Sequence, residues 1–242
     1  MVDVAVFQRA RSEEQREERR RAILGAATAM LAEMPVAQVT LNELSRRAGL
    51  AKSNVLRYFE SREAVLLELL DSAWQDWLAQ LGKDLEAVVD PAVPLPGRSG
   101  QLAAGLASSL ASRPMLCDLI SAQAAVLERN VSPRVAAQYK RASIADVAAL
   151  GRLTRQCIPE LGEDDAFRLA GATVMMAGAL WPHTQPSAAL LAAYEADPAL
   201  AAMRLDFTTT IHEVLQVMIA GTLARSARQP GQMTGSGTGI SR

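Results

Sequence analysis

The chain has 242 residues, half of them hydrophobic and only 4% aromatic, with a formal net charge of −1. A hydrophobic fraction this large excludes a mostly disordered chain, and abundant Ala, Leu and Val with few aromatic residues favour helices over strands. The charge is uneven, +3 over residues 1–62 and −4 over residues 63–242, which allows a nucleic-acid contact at the first end but equally suits an ordinary solvated surface.

The first elements in the chain are predicted helices with recognisable starts and stops. Ser12 has capping-box spacing to Gln15 and opens a helix that Pro35 ends. Thr40, with Glu43 three residues later, opens a short second helix.

A tight turn and two more helices follow. Gly49 supplies the positive φ that such a turn needs, and another short helix then includes Val55 and Phe59. Ser61 caps the next helix, which is long and includes Trp74.

The second part of the sequence predicts further helices and no strand. Three prolines and two glycines between residues 90 and 100 indicate a loop. Helices are predicted at 101–112, 114–129, 133–157, 163–181 and 203–224, with a short linking helix before the last of these. The expected fold is all-α: a three-helix helix-turn-helix domain at 1–70, joined by a long helix to a helical ligand and dimerisation domain at 71–228, with a disordered tail at 229–242.

Two of these helices have more apolar surface than one domain covers. No charged residue occurs from Leu169 to Trp181. The last helix has two adjoining apolar stripes, formed by Phe207, Ile211, Val214 and Met218 and by Leu215, Ile219 and Leu223. We therefore expect a homodimer through the helices at 163–181 and 203–224.

Other features bear on location and chemistry. No uncharged apolar run reaches the roughly 18 residues of a membrane span, and the first residues are too polar for a secretory signal. A cytoplasmic protein without a membrane partner is expected. Cys117 and Cys157 fit buried thiols in a reducing compartment. His183 and His212 have no ligand-spaced neighbours, so no metal, cofactor or catalytic residue is predicted.

The two short helices around Gly49 match a helix-turn-helix, whose second helix enters the major groove of DNA. Its outward side chains would be Lys52, Ser53, Asn54, Arg57 and Tyr58. Asn54 can pair with adenine, Lys52 and Arg57 with guanine or phosphate, and Tyr58 with phosphate. A plain helical hairpin is the alternative, but the combined capping, turn and polarity pattern favours DNA binding.

The same stretch resembles the TetR family of bacterial transcriptional regulators over about residues 20–70. The residues that carry this resemblance are Thr40, Leu44, Ala48-Gly49, Lys52, Tyr58-Phe59, Ser61-Arg62-Glu63 and Leu66. It implies that Thr40 and Arg62 hold phosphates, and that residues 52–58 read bases. It further implies a homodimer bound to an operator in double-stranded DNA, most often as a repressor, and an internal pocket for a small-molecule effector. Two departures are Ala51, where a capping hydroxyl is usual, and Leu56, where Tyr is usual.

The effector is expected to be mostly apolar and to bind among the helices between residues 101 and 181. Polar residues within apolar faces and large flexible or aromatic residues are the candidates: Trp77, Met115, Gln123, Tyr139, Ser143, Thr173 and Met175. Each of them equally suits an ordinary core position or a partner within the protein.

Two other functional classes stay open at this point. An all-helical enzyme acting on a small apolar substrate would use carboxylates such as Asp118 or Glu128, although no paired acid–base spacing supports it. An interaction protein whose helix-turn-helix has lost its DNA role would fail to bind any DNA at low salt.

Overall fold

The computed structural model describes the backbone of residues 4–227 and the side chains of residues 13–227, so the predicted tail at 229–242 lies outside the described residues. All regular secondary structure within residues 4–227 is helical. The helices are α1 (Val4–Glu33), α2 (Leu41–Arg47), α3 (Lys52–Tyr58), α4 (Arg62–Val88), α5 (Leu95–Ala111), α6 (Pro114–Ala122), α7 (Pro133–Cys157), α8 (Glu163–Leu180), α9 (Ala188–Ala196), α10 (Pro198–Ala201) and α11 (Phe207–Ala227).

The first helix is longer than its capping signal suggested. α1 begins at Val4, so the predicted start at Ser12 is wrong. The residues around Ser12 are mostly Arg, Glu and Gln, which favour a helix interior. The helix therefore continues through a sequence that matches a capping box. Farther along, Ile23, Ala27 and Met30 of α1 are fully buried and anchor the helix to the core.

The turn between α2 and α3 has the geometry that the sequence predicted. The Thr40 hydroxyl accepts a hydrogen bond from the Glu43 backbone N–H at 3.2 Å and caps α2. Gly49 has φ +65°, the left-handed conformation that favours glycine. The Leu50 N–H then donates to the Ser45 carbonyl at 3.0 Å, which closes the end of α2 and fixes the direction of α3.

α4 runs through the whole core and joins the two halves of the molecule. The Ser61 hydroxyl accepts from the Ala64 N–H at 3.1 Å and starts the helix, as predicted. Leu66, Leu70, Trp74 and Trp77 are buried along its length. Because α4 contacts α1 in the helix-turn-helix domain and α7 in the helical domain, a displacement of α4 would reach both domains.

The helical domain is built on two close helix pairs, α5 with α11 and α7 with α8. α7 crosses α8 at Gly151, where an added Cβ would lie 3.3 Å from the backbone of Ala166 and Phe167. A side chain here would press on that backbone, so glycine suits this close approach. No helix among the residues described has the length and apolar character needed to cross a membrane.

Other predicted boundaries also differ from the structure, and the last helix begins at Phe207 rather than at 203. The predicted loop at 90–100 ends early, because α5 begins at Leu95 and Pro96 falls in its first turn, where no backbone N–H is needed. The predicted helix at 114–129 ends at Ala122 and is followed by a π-helical turn, Gln123–Leu127. The linking helix divides into α9 and α10 at Asp197, whose side chain caps α10.

Two hydrogen bonds dock the helix-turn-helix domain on the helical domain. The Asp118 carboxylate of α6 accepts from the backbone N–H of Val36 at 2.7 Å. The Glu60 carboxylate accepts from the backbone N–H of Ser132, just before α7, at 2.5 Å. Carboxylate acceptors on backbone N–H groups are among the stronger hydrogen bonds in proteins, so the two domains are held in a defined orientation.

Candidate nucleic-acid interface

α3 presents a polar outer face from a rigidly held position. Val55 is fully buried and Phe59 is nearly so, and these two side chains fix the inner face of the helix. Lys52, Ser53 and Asn54 are exposed on the other side. Four of the five side chains predicted to face outward, Lys52, Ser53, Asn54 and Arg57, are exposed, whereas Tyr58 is half-buried.

The exposed α3 side chains have free hydrogen-bonding groups. Within the part of the chain that the structure describes, the side chains of Lys52, Asn54 and Arg57 make no hydrogen bond or ion pair. Tyr58 is half-buried, and its ring packs against the core. α3 therefore offers two cations and one amide to an outside partner without first breaking internal contacts.

α1 adds basic residues that the sequence had not assigned to the interface. A cleft of about 530 Å³ between α1 and α3 is lined by Arg16, Arg19, Arg57 and Tyr58, together with Gln15 and Glu18. The charged run around Arg19 is also typical of a solvated helix face. This run reaches the interface because α1 continues past α3. Local sequence does not reveal that arrangement.

The basic residues of α2 are paired within the protein. Glu43 accepts from Arg46 at 2.5 Å and from Arg47 at 2.9 Å, and these guanidinium groups lower the pKa of Glu43 to about 2. Arg47 also pairs with Glu33 of α1 at 2.7 Å. Glu43 therefore stays ionised at neutral pH and offsets positive charge on α2, whereas α3 has no such acid.

Two predicted phosphate contacts differ in accessibility. Thr40 is exposed at the start of α2, and its hydroxyl still has a proton to donate beyond the capping bond it accepts. Arg62 donates to the Val39 carbonyl at 2.6 Å and to Glu63 at 2.9 Å, and only 19% of its side chain is exposed. Arg62 therefore joins α4 to the segment before α2, and its phosphate contact stays a prediction.

The two departures from the family pattern have visible consequences in α3. Ala51 occupies the N-cap position and makes no side-chain hydrogen bond. Leu56 exposes 42% of its surface on the outer face. An exposed leucine can contact a thymine methyl group, which a tyrosine hydroxyl would not do.

The seven predicted ligand residues do not gather around one cavity. Trp77 is fully buried, and its indole N–H donates to the Ser109 hydroxyl at 2.8 Å. Thr173 donates to the Leu169 carbonyl within α8, at 2.8 Å. Both side chains are thus satisfied members of the core, the alternative that the sequence left open.

The other five candidates are dispersed. Gln123 donates to Glu128 at 2.8 Å, and Met115 and Ser143 are half-buried at separate places. Met175 lies on the outer side of α8 and exposes 69% of its surface. Tyr139 alone among the seven lines one of the cavities described below.

That cavity lies between the helix-turn-helix domain and α7, and its lining includes Arg20, Phe59, Asp71 and Tyr139. We call it the junction groove. Its volume is about 540 Å³, within the range of roughly 300–1,000 Å³ that small-molecule sites occupy.

The carboxylates considered for an enzyme have structural partners. Asp118 accepts the hydrogen bond from the Val36 N–H that docks the two domains. Glu128 accepts from Lys140 at 2.7 Å and from Gln123. Both carboxylates therefore already serve as hydrogen-bond acceptors within the protein.

An apolar surface remains on the two helices expected to dimerise. Val217 of α11 exposes 74% of its surface, and Met175 and Phe167 of α8 are also exposed. The opposite face of α11 is buried through Ile211 and Leu215. α8 therefore carries an outer apolar face with no partner among the described residues. On α11 both predicted stripes lie mainly in or against the core, contrary to the expectation that one domain could not cover them, and Val217 remains as an exposed large apolar residue.

Comparison with protein families identifies both parts of the chain. Residues 71–226 match the model of the tetracyclin repressor-like C-terminal domain, and residues 23–69 match that of the tetR family of bacterial regulatory proteins. The HTH-type transcriptional regulator EthR of Mycobacterium tuberculosis is 40% identical over 55 residues, which is 23% of this chain and 26% of that regulator. The chain thus spans about a quarter of this relative's length.

Solved structures share the whole fold. A TetR transcriptional regulator from Rhodococcus sp. RHA1 superposes with a TM-score of 0.52 at 14% identity, covering 87% of this chain and 97% of that one. The regulator FadR from Bacillus subtilis, solved in complex with stearoyl-CoA, gives a TM-score of 0.52 at 14% identity, covering 83% and 97%. At such identities the likeness concerns the fold alone.

Proposed function

Because the chain belongs to the TetR family of bacterial regulators, as the residues around Gly49 predicted, we propose that it is a homodimeric, sequence-specific DNA-binding repressor released from its operator by a small molecule. The observation that carries this proposal is the outer face of α3, where Lys52, Asn54 and Arg57 are exposed and have no partner among residues 13–227. A regulator of this kind acts in the cytoplasm, where bacterial DNA lies.

In the proposed complex α3 lies in the major groove. Asn54 reads adenine, and Lys52 and Arg57 contact guanine or phosphate. Ser53 can donate to a base or to a phosphate. Thr40 and Tyr58 contact the phosphate backbone on the two sides of the groove.

The α1 arginines extend this footprint. Arg16 and Arg19 lie beside Arg57 along the cleft between α1 and α3, so they add positive charge next to the base-reading helix. Contacts of this kind orient a protein on the duplex and add salt-dependent affinity without reading sequence.

We propose that two copies pair through the outer faces of α8 and α11. Met175 and Val217 supply the exposed apolar surface for that contact. A two-fold dimer would place the two α3 helices about one DNA turn apart, roughly 34–36 Å, so that both half-sites are read together.

For the effector we retain a mostly apolar ligand among the helices between residues 101 and 181. The Bacillus subtilis relative was solved with stearoyl-CoA, and another structure of this fold is a multidrug binding protein, EbrR, complexed with imidazole. In this chain Trp77 and Thr173 are closely packed and satisfied, so an effector there has to part helices that are now in contact.

Helix movement has two routes to the DNA-binding surface. α4 runs from the helical domain into the helix-turn-helix domain, and the Asp118 and Glu60 hydrogen bonds join the domains a second time. By linkage, an effector that lowers operator affinity must itself bind more weakly to the operator complex, by the same factor.

The experiment that tests this function begins with selection of genome fragments bound by the purified protein. Affinity for a selected fragment is then measured by fluorescence anisotropy over a range of salt concentrations for the native chain, Lys52→Ala and Lys83→Ala. Lys83 is exposed near the far end of α4 and provides a control with the same loss of charge. Lys52→Ala should weaken binding and reduce the salt slope by about one, and Lys83→Ala should not. Equal effects of the two variants, or no fragment selected at low salt, would refute the proposal.

A further inference from the structure

The junction groove combines surfaces from both domains. α4 contributes Leu67 and Asp71, the helix-turn-helix domain contributes Arg20 and Phe59, and α7 contributes Tyr139. It therefore differs in place from the apolar effector site proposed above, which lies within the helical domain alone. A molecule bound in this groove would contact both domains at once.

Most charges along the groove are already balanced. Arg20 forms an ion pair with Glu68 and lies over the Phe59 ring, 4.5 Å from its centroid. Glu60 accepts from the Ser132 N–H, and the nearby Arg134 contributes to the lowered pKa of Glu60. Arg20 and Arg134 are the two positively charged residues in the groove lining, and each lies near an acidic residue.

Asp71 and Asp146 form an exception on the α4–α7 side. Neither carboxylate has an ion-pair partner among residues 13–227. Asp71 lines the groove. Asp146 lies behind it, exposes only 3% of its surface, and accepts one hydrogen bond, from Gln75, at 2.5 Å. Burial and the nearby Asp71 raise the pKa of Asp146 to about 6, which shows that its negative charge is poorly compensated.

Tyr139 adds an unpartnered polar group at the same place. Only 6% of this residue is exposed, and among the described residues its hydroxyl has no hydrogen-bond partner. The Ser143 side chain, one turn farther along α7, lies close to the Tyr139 hydroxyl, but the two groups do not have hydrogen-bond geometry. Burial, together with the carboxylates of Glu128, Asp146 and Asp71, raises the pKa of Tyr139. Buried hydroxyl groups ordinarily have a partner, so this one indicates a missing donor or acceptor.

A positively charged donor would pair with Asp71 and donate to Tyr139, and the charge of Asp146 would attract it as well. An ammonium group has several N–H donors and no acceptor, so it can pair with a carboxylate and donate to a hydroxyl oxygen. An anion would meet two uncompensated carboxylates, and a neutral molecule would leave their charge unbalanced. The apolar part of the groove, formed by Phe59, Leu67 and Val135, suits a hydrocarbon or aromatic body.

We propose that the junction groove binds a small organic cation, whose ammonium group contacts Asp71 and Tyr139 and whose apolar body lies against Phe59 and Leu67. Asp146 attracts the cation from behind without touching it. This site goes beyond the proposed repressor function, and binding there does not require DNA.

The test uses three probes of similar shape and different charge. Isothermal titration calorimetry of the full-length protein, without DNA, compares benzylammonium, benzyl alcohol and benzoate. Benzylammonium should bind saturably, and benzyl alcohol should bind at least about tenfold more weakly because it lacks the charge that Asp71 recognises. Benzoate should bind no better than the alcohol. Equal affinity for the three probes, or no saturable binding of benzylammonium, would overturn the proposal.

Three variants locate the site. Asp71→Asn should weaken benzylammonium binding by about tenfold, and Tyr139→Phe by a smaller factor, since a charged contact is stronger than a neutral hydrogen bond. Asp76→Asn is the control, because Asp76 is an exposed carboxylate on the same helix that does not line the groove. Circular dichroism verifies that each variant is folded. If folded Asp71→Asn and folded Tyr139→Phe both bind benzylammonium as tightly as the native chain, the assignment is wrong.

Discussion

The carboxylate of Asp118 in α6 and the backbone N–H of Val36 are joined by a hydrogen bond of 2.7 Å. Val36 is almost completely buried between α1 and α2, at 1% exposure. A side chain of the helical domain thus supplies the acceptor that a buried N–H of the DNA-binding domain needs. This contact gives the two domains a preferred orientation, which an effector could alter.

The first prediction concerns that contact. Asp118→Ala should lower the free energy of unfolding by about 1–3 kcal/mol, because it leaves a buried N–H without an acceptor. Asp118→Asn keeps an oxygen acceptor and should cost less. Urea unfolding of the two variants measures the difference, and an alanine variant as stable as the native chain would show that the contact contributes little.

The second prediction compares two glycines of opposite role. Gly49→Ala should destabilise the protein by about 1–2 kcal/mol, because L-residues with a Cβ rarely adopt its left-handed conformation. Gly25 lies exposed in the middle of α1 with nothing within 4 Å of an added Cβ. Gly25→Ala should therefore stabilise the helix, by up to about 1 kcal/mol. Unfolding midpoints that shift in the same direction for both variants would contradict this account.

The third prediction tests the dimer surface. Met175→Glu combined with Val217→Glu should give a folded monomer, because both side chains are exposed in one protomer and would meet apolar surface in the dimer. The monomer should also lose tight operator binding. Ala177→Glu, on the buried side of α8, should instead unfold the protein. Light scattering with circular dichroism separates these results; a native chain that is monomeric at micromolar concentration would refute the dimer.

The fourth prediction concerns pH. The pKa of Asp146 is raised to about 6, by burial first and by Asp71 second, while the Gln75 hydrogen bond opposes the rise. Since the unfolded pKa is about 3.9, the folded protein holds this proton more tightly, and the contribution of Asp146 to stability falls as pH rises between about 4 and 6. Gln75 and Asp71 face this carboxylate from α4, and Tyr139 lies near it on α7.

Asp146→Asn isolates this effect from other titrating groups. The variant should be more stable than the native chain at pH 7, and its advantage should shrink as pH falls towards 4.5, where the native carboxyl is protonated in the folded state. Denaturant midpoints of both proteins at the two pH values provide the measurement. An advantage that stays constant or grows in acid would show that Asp146 does not titrate as stated.

Local signals allowed much of the fold to be predicted. The caps at Thr40 and Ser61 and the turn at Gly49 each depend on residues within one or two helical turns, and all three occur in the structure. The outward face of α3 follows from helical periodicity once its ends are known. For the same reason the buried Val55 and the exposed Asn54 could be assigned correctly.

Long-range contacts could not be predicted in this way. Trp77 finds its partner in Ser109, which is 32 positions away, so nothing near Trp77 in sequence separates a core residue from a ligand contact. Arg62 carries a charge typical of a phosphate contact, yet it donates to Val39 across 23 positions. Arg19 reaches the DNA-binding surface only because α1 continues past α3. In each case the side chain's role depends on which distant element packs beside it.

The central claim is that α3 reads DNA sequence, and its most direct measurement uses one selected operator and a set of single-base variants of that operator. Affinities of native protein and Asn54→Ala are compared across the whole set. Native protein should discriminate at one A·T pair by about 1–3 kcal/mol, and Asn54→Ala should lose discrimination at that pair while keeping it elsewhere. If Asn54→Ala retained the complete sequence preference of the native protein, the assignment of α3 as the reading helix through Asn54 would be contradicted.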